Sequence, residues 1–157
     1  WYADLFAGAG RYGDGQPGSP LIMAEEADTR FRSNAQPLIH CFNVERDPGI
    51  FSALEANTSH IAPQVIENRP GDWSDHLDDL LAHTQPSHLP LILFLDPFGF
   101  AGIELTKLVQ ILSGIGSEAR EMLLTFNLGG MQRMVAADRA ARIAGRSDDY
   151  SGLPNHA

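Results

Sequence analysis

The chain has 157 residues, 43% of them hydrophobic, and a formal net charge of −9. That length suits a single domain, 1–157, with a sizeable core, and that apolar content excludes a disordered chain. The charge does not support a general nucleic-acid surface, and no apolar run approaches the roughly 20 residues that cross a membrane.

The chain opens inside a strand pattern, with no initiator Met and neither the basic start nor the apolar run of a signal peptide. Flanking sequence is therefore expected. The first strand reads as Tyr2 to Phe6 and runs into Ala7-Gly8-Ala9-Gly10, a turn that lets a ligand approach backbone because Gly8 and Gly10 lack a Cβ. After a Gly/Pro-rich loop to Gly18, Ser19 reads as an N-cap with Pro20 at the first helical position, and the helix runs to about Ser33. Strand two, Leu38 to Val44, closes on Glu45. It holds the single cysteine, Cys41, which is read as a buried residue in a reducing, cytoplasmic setting. Asp47-Pro48 starts a helix ending near Thr58. Strand three is Gln64 to Glu67, and after Gly71-Asp72-Trp73, Ser74 reads as the cap of a helix to His83. Strand four, Leu89 to Leu95, is apolar nearly throughout, as in a central strand covered on both faces. Asp96-Pro97-Phe98-Gly99 ends it. A helix from Glu104 to Leu112, strand five from Glu121 to Phe126 and a helix from Met131 to Ala144 complete the pattern. Arg139, Arg142 and Arg146 share a face of that last helix, as a basic patch or a solvated surface.

Strands alternating with helices predict an α/β fold with a mostly parallel sheet and helices on both faces, its ligand beyond the carboxyl ends of the strands where their order reverses. The sheet is expected to be cut after strand five. Each strand end carries a notable residue: Gly8 and Gly10, Glu45, Asp72, Asp96, Asn127. Gly8, Gly10 and Gly13 match G-x-G-x-x-G, yet Gly13 lies in a loop and Glu45 stands far past the spacing of a dinucleotide fingerprint. A helix start set back from the turn makes a pyrophosphate seat a poor fit. S-adenosyl-L-methionine fits better. It needs room beside a glycine turn, an acid for the ribose hydroxyls (Glu45) and an acceptor for the adenine amine (Asp72), with Trp73 packing near the ring or in the core.

Asp4-Leu5-Phe6-Ala7-Gly8-Ala9-Gly10 resembles motif I of class I S-adenosylmethionine-dependent methyltransferases, and Asp96-Pro97-Phe98-Gly99 resembles their D-P-P-[YFW] motif IV. With Arg11-Tyr12, Asp14-Gly15 and Gly18-Ser19-Pro20-Leu21-Ile22, the pattern is similar to the three-Cys-motif partner protein family over most of the chain. The resemblance implies a Rossmann-like class I methyltransferase sheet. It also implies a bacterial, methyltransferase-like protein encoded beside a three-cysteine-motif protein. By position, Asp4, Phe6, Gly8 and Gly10 shape the methionine end, Glu45 takes the ribose and Asp72 the adenine. Asp96 faces the methyl group, with Pro97, Phe98 and Phe100 on the acceptor. Motif IV departs from the family pattern, because its aromatics are shifted to Phe98 and Phe100. No Pro-Cys follows strand four, which argues against cytosine C5 chemistry.

Other readings stand beside these. Asp4 also suits backbone amides of the turn, Glu45 a solvated strand end, Asp72 a Gly-Asp turn and Asp96-Pro97 a plain strand exit. The loop from Gly13 to Gly18 reads as a lid or as ordinary surface. The six histidines show no metal-ligand spacing, so no metal is assigned. The leading expectation is an S-adenosylmethionine-dependent methyltransferase with its acceptor, nucleic acid or a modified partner, unassigned. The alternative is a non-catalytic methyltransferase-like partner in complex with a three-cysteine-motif protein. A nicotinamide-dependent oxidoreductase rests on the glycine spacing alone.

Overall fold

Apolar strand segments too short to stand alone pair in parallel, each linked to the next through a helix. β1 (Tyr2–Asp4), β2 (Cys41–Glu45), β3 (Ile66–Pro70), β4 (Leu91–Leu95) and β5 (Arg120–Leu124) form one all-parallel sheet in the order β3-β2-β1-β4-β5. The computed structural model describes residues 1–87, 89–97, 104–113, 119–125 and 136. The helices are α1 (Ser19–Asn34), α2 (Pro48–Thr58), α3 (Leu77–Ser87) and α4 (Leu105–Leu112), with a 3₁₀ turn, Trp73–His76, before α3. The chain divides into two compact units, Trp1–Pro97 with Gly102–Thr125, and Phe98–Ala101 with Phe126–Ala157. Every named element lies in the first. The last helix read from the sequence (apart from Ala136), Asn127, and Arg139, Arg142 and Arg146 lie outside the described residues.

Register puts alternate residues on opposite faces. Ala3, Phe42, Val44, Leu91, Leu93 and Leu95 pack with Leu77 and Leu80 of α3 and Leu108 and Ile111 of α4. Tyr2 and Cys41 face the other way, onto Ala24 and Ala27 of α1. The sheet is therefore covered by helices on both sides, and its strand order reverses between β1 and β4.

Several boundaries differ from the sequence reading. The second strand begins at Cys41 rather than Leu38, because its ladder starts where Cys41 meets Tyr2 and Ile66; Leu38 is 53% exposed. The third strand lies at Ile66–Pro70 rather than 64–67. It is an edge strand bonded only to β2, where polar side chains and a terminal proline are tolerated. Among the described residues the fourth strand is buried on one face, at Leu91, Leu93 and Leu95, while on the other Phe94 is half-buried against the α1-side cluster and Ile92 is 44% exposed. No helix among the described residues is long and apolar enough to cross a membrane.

Leu93 is fully buried on β4 between β1 and β5. Leu93→Ala is expected to cost about 3 kcal/mol, read as a lower urea midpoint at unchanged slope. Leu38→Ala, outside the ladder, should stay within about 0.5 kcal/mol.

Candidate functional site

The turn after β1 is locked before it turns. Leu5 N–H donates to the Phe94 carbonyl at 3.2 Å and Ala7 N–H to the Val44 carbonyl at 2.9 Å, so both neighbouring strands grip the exit of β1. The chain then takes left-handed conformations at Gly8 (φ +64°) and Gly10 (φ +78°), where L side chains are strained. The two glycines serve different ends. A Cβ on Gly10 would stand 3.3 Å from Leu54 Cδ1 of α2, so its bareness lets the turn pack on the helix; a Cβ on Gly8 would meet nothing within 4 Å. Gly8 therefore opens onto free space at the rim. Asn57 Nδ2 of α2 donates to the Ala9 carbonyl at 2.8 Å and clamps the turn from below. Beyond it, Arg11 and Pro17 form an antiparallel bridge, Tyr12 N–H donates to the Gln16 carbonyl, and Gly18 N–H returns to the Gly10 carbonyl. The candidate lid is thus a small, internally bonded hairpin, exposed through Gln16, with Pro17 half-buried and Gly18 buried.

Asp4 ends β1 fully buried. Its Oδ2 accepts the Ser19 hydroxyl at 2.6 Å and its Oδ1 the Phe6 N–H at 3.3 Å; Tyr2 OH lies 3.4 Å from Oδ2. Ser19 does not cap α1 as its position in the sequence predicts. The cap is Gly18, which makes no side-chain bond, because the Ser19 hydroxyl is committed to Asp4. Burial pushes the Asp4 carboxyl up to about 6, opposed by these hydrogen bonds and aided by the nearby charge of Asp96. Burial, with Asp4 next, raises Tyr2 as well. Asp4, Asn43 and Asn68 stand in one register row across β1, β2 and β3. Asn43 donates to Asn68 Oδ1 at 3.0 Å, and Asn68 donates to Glu55 and Thr58 of α2. A buried polar layer thus lies one step beneath the rim.

Glu45, at the end of β2, is half-buried. Its Oε2 accepts Gly8 N–H at 2.9 Å and its Oε1 accepts Asp47 N–H at 2.7 Å, so it joins the glycine turn to the start of α2. Gly71 N–H donates to the Glu45 carbonyl at 2.9 Å, which brings the exit of β3 to the same rim. There Asp72, not Ser74, is the cap: its Oδ1 accepts Ser74 N–H at 3.0 Å at the start of the 3₁₀ turn. Trp73 is 2% exposed and belongs to the core. Phe6 lies half-buried against it, ring centroids 6.4 Å apart. Asp96, at the end of β4, is exposed and Pro97 buried; Thr125, just past β5, donates its hydroxyl to Asp96 Oδ1. Phe98 and Phe100 lie outside the described residues.

The structure thus brings Gly8, Gly10, Glu45, Asp72 and Asp96 to the carboxyl ends of four adjacent strands, with Asp4 buried beneath them. It adds Ser19, Asn57 and Thr125, for which spacing carries no signal, since each acts on a residue 15 to 48 positions away or on a neighbouring strand. Cys41 is buried, and desolvation pushes its thiol up to about 12, which removes it as a nucleophile. Among the described residues no group of three or more His, Cys, Asp or Glu side chains is arranged to hold a metal. No protein family, curated protein or solved structure matches the chain.

A buried carboxyl with a raised folded-state value holds its proton in the folded chain while the unfolded chain gives it up. Stability from Asp4 is therefore full below about pH 4 and is lost as pH rises through about 6, by on the order of 2–3 kcal/mol. Asp4→Asn keeps an acceptor for Ser19 and removes the titration. Relative to the parent, its unfolding free energy should climb between pH 4 and pH 7 in urea titrations; a difference flat with pH would contradict this account.

Proposed function

We propose that the chain is an S-adenosyl-L-methionine-dependent methyltransferase with a Rossmann-like class I sheet, its acceptor unassigned. The observation that carries the reading is the open space at Gly8, flanked by Glu45 on one side of the turn and Asp96 on the other. From β3 through β2 and β1 to β4, three strand spacings of about 4.8 Å give roughly 14 Å, the scale of an extended nucleoside. In that order stand an acceptor for an amino group, an acid for a diol, a bare turn and a carboxylate. A rim of carboxylates suits a cationic sulfonium and repels phosphates. The resemblance of Asp4–Gly10 and Asp96–Gly99 to methyltransferase motifs points the same way, and that of Arg11–Ile22 to three-Cys-motif partner proteins narrows it.

When bound, S-adenosylmethionine supplies an activated methyl group. Asp72 spends Oδ1 on its cap, leaving Oδ2 as the acceptor for an adenine amine. Glu45 takes the ribose hydroxyls, for which each of its oxygens has a second lone-pair direction. Asp96 orients the methyl acceptor and takes the proton it releases. Trp73 and Phe6 act from the core, by shaping the floor of the site. One observation favours the alternative of a non-catalytic partner of a three-cysteine-motif protein: both Glu45 oxygens are already bonded to backbone amides.

S-adenosylhomocysteine is expected to stabilise the protein by about 2.7 kcal/mol at 100 times its dissociation constant, read as a rise in melting temperature. Gly8→Val, which places a side chain in the open space, and Glu45→Ala should abolish the rise. No shift at millimolar ligand in a folded protein would count against the reading and favour the non-catalytic alternative.

A further inference from the structure

Asp96 is exposed, and an exposed carboxylate on a short side chain turns freely unless something holds it. Here something does. Leu95 and Leu124 pair in register, so Thr125 is the residue beside Asp96 on the neighbouring strand. Its N–H donates to the Leu95 carbonyl at 2.9 Å, extending the ladder by one bond. That bond needs only backbone. The side chain is spent separately: its hydroxyl lies 3.5 Å from the Leu95 carbonyl and much closer to Asp96 Oδ1. A hydroxyl has one proton to give, and the charged acceptor makes the shorter and stronger bond. On the opposite side of β4 stands β1 with the Asp4 carboxyl, near enough for the charge of Asp96 to act against it. Asp96 is thus held toward the β5 side by the Thr125 hydroxyl.

We infer that Thr125 is a positioning residue: its hydroxyl engages Asp96 Oδ1 and so fixes Oδ2 as the atom that meets the methyl acceptor. This rests on the methyltransferase reading above. It extends that reading by assigning a role just past β5, which among the described residues carries no other part of the site, and by giving the two Asp96 oxygens different tasks. Threonine suits this position twice over. It is β-branched, as a strand end prefers, and its hydroxyl proton is one that the backbone ladder does not use.

Sinefungin tests the inference without knowledge of the acceptor, because a carbon bearing an amine replaces the sulfonium and its methyl. Its ammonium group occupies the place Asp96 faces. Affinities of sinefungin and S-adenosylhomocysteine are measured by calorimetry on the full chain. The parent should prefer sinefungin. Thr125→Val, which keeps shape and ladder but removes the hydroxyl, should reduce that preference about tenfold and leave S-adenosylhomocysteine affinity unchanged. Asp96→Asn should reduce it similarly, Thr125→Ser should restore it, and the Val and Asn changes together should cost no more than either alone. The inference falls if Thr125→Val keeps the parent's preference, if it weakens both ligands equally, if the two changes add fully, or if the parent shows no preference. If the folded parent binds neither ligand, the methyltransferase reading itself has failed.

Discussion

The site depends on one hydrogen bond, from the half-buried Ser19 hydroxyl to the buried Asp4 carboxyl. β1 is only three residues long and contributes little pairing of its own. Besides the backbone bonds of Leu5 and Ala7 to the neighbouring strands, its exit is held by Asp4, which takes the start of α1 through Ser19 on one oxygen and the backbone of the turn through Phe6 on the other. The glycine turn is therefore held at both ends by a single carboxyl, with Asn57 gripping its middle. Keeping an acid there is costly at neutral pH, since burial disfavours its charge. Its replacement by an apolar group would leave the Ser19 hydroxyl and the turn without their shared acceptor.

Above this buried layer the rim has a direction. Asp72 stands past the end of β3, Glu45 ends β2, the bare turn follows β1, and Asp96 follows β4 with the Thr125 hydroxyl donating to it from beyond β5. Each neighbour along the sheet does a different job, and the register sets the spacing between jobs. A ligand that satisfied only one or two of them would be held loosely, because most of these contacts are single hydrogen bonds near solvent, each worth about 1 kcal/mol.

Much of this was legible in the sequence. Glycines at positions 8 and 10, the acids at or just past the ends of the first four strands and the Asp47-Pro48 helix start follow from backbone chemistry that acts within a few residues. What could not be read acts across the fold. Ser19 looks like a cap because a serine before a proline usually is one; the buried Asp4 outbids the helix for its hydroxyl. Asp72 looks like a free acceptor, yet half of its carboxylate caps a 3₁₀ turn. β3 is hidden because Asn68, Arg69 and Pro70 resemble a loop, and only an edge position on β2 makes them a strand. Trp73 was read beside a ligand or in the core, and packing puts it in the core. Thr125 gains its meaning from the register of β4 with β5, which no local pattern encodes.

The placement of β1 between β2 and β4 has a consequence for the order in which the protein comes into being. Tyr2 pairs with Cys41 on one side and with Ile92 on the other. The residues of β1 therefore wait for a strand made some ninety residues later before their second edge is filled. Contacts between such distant segments form slowly, because loop closure is paid before pairing rewards it. The glycine turn is translated well before β4 and finished only when β4 pairs. A nascent chain halted before β4 would carry Gly8, Gly10, Glu45 and Asp72 but not Asp96.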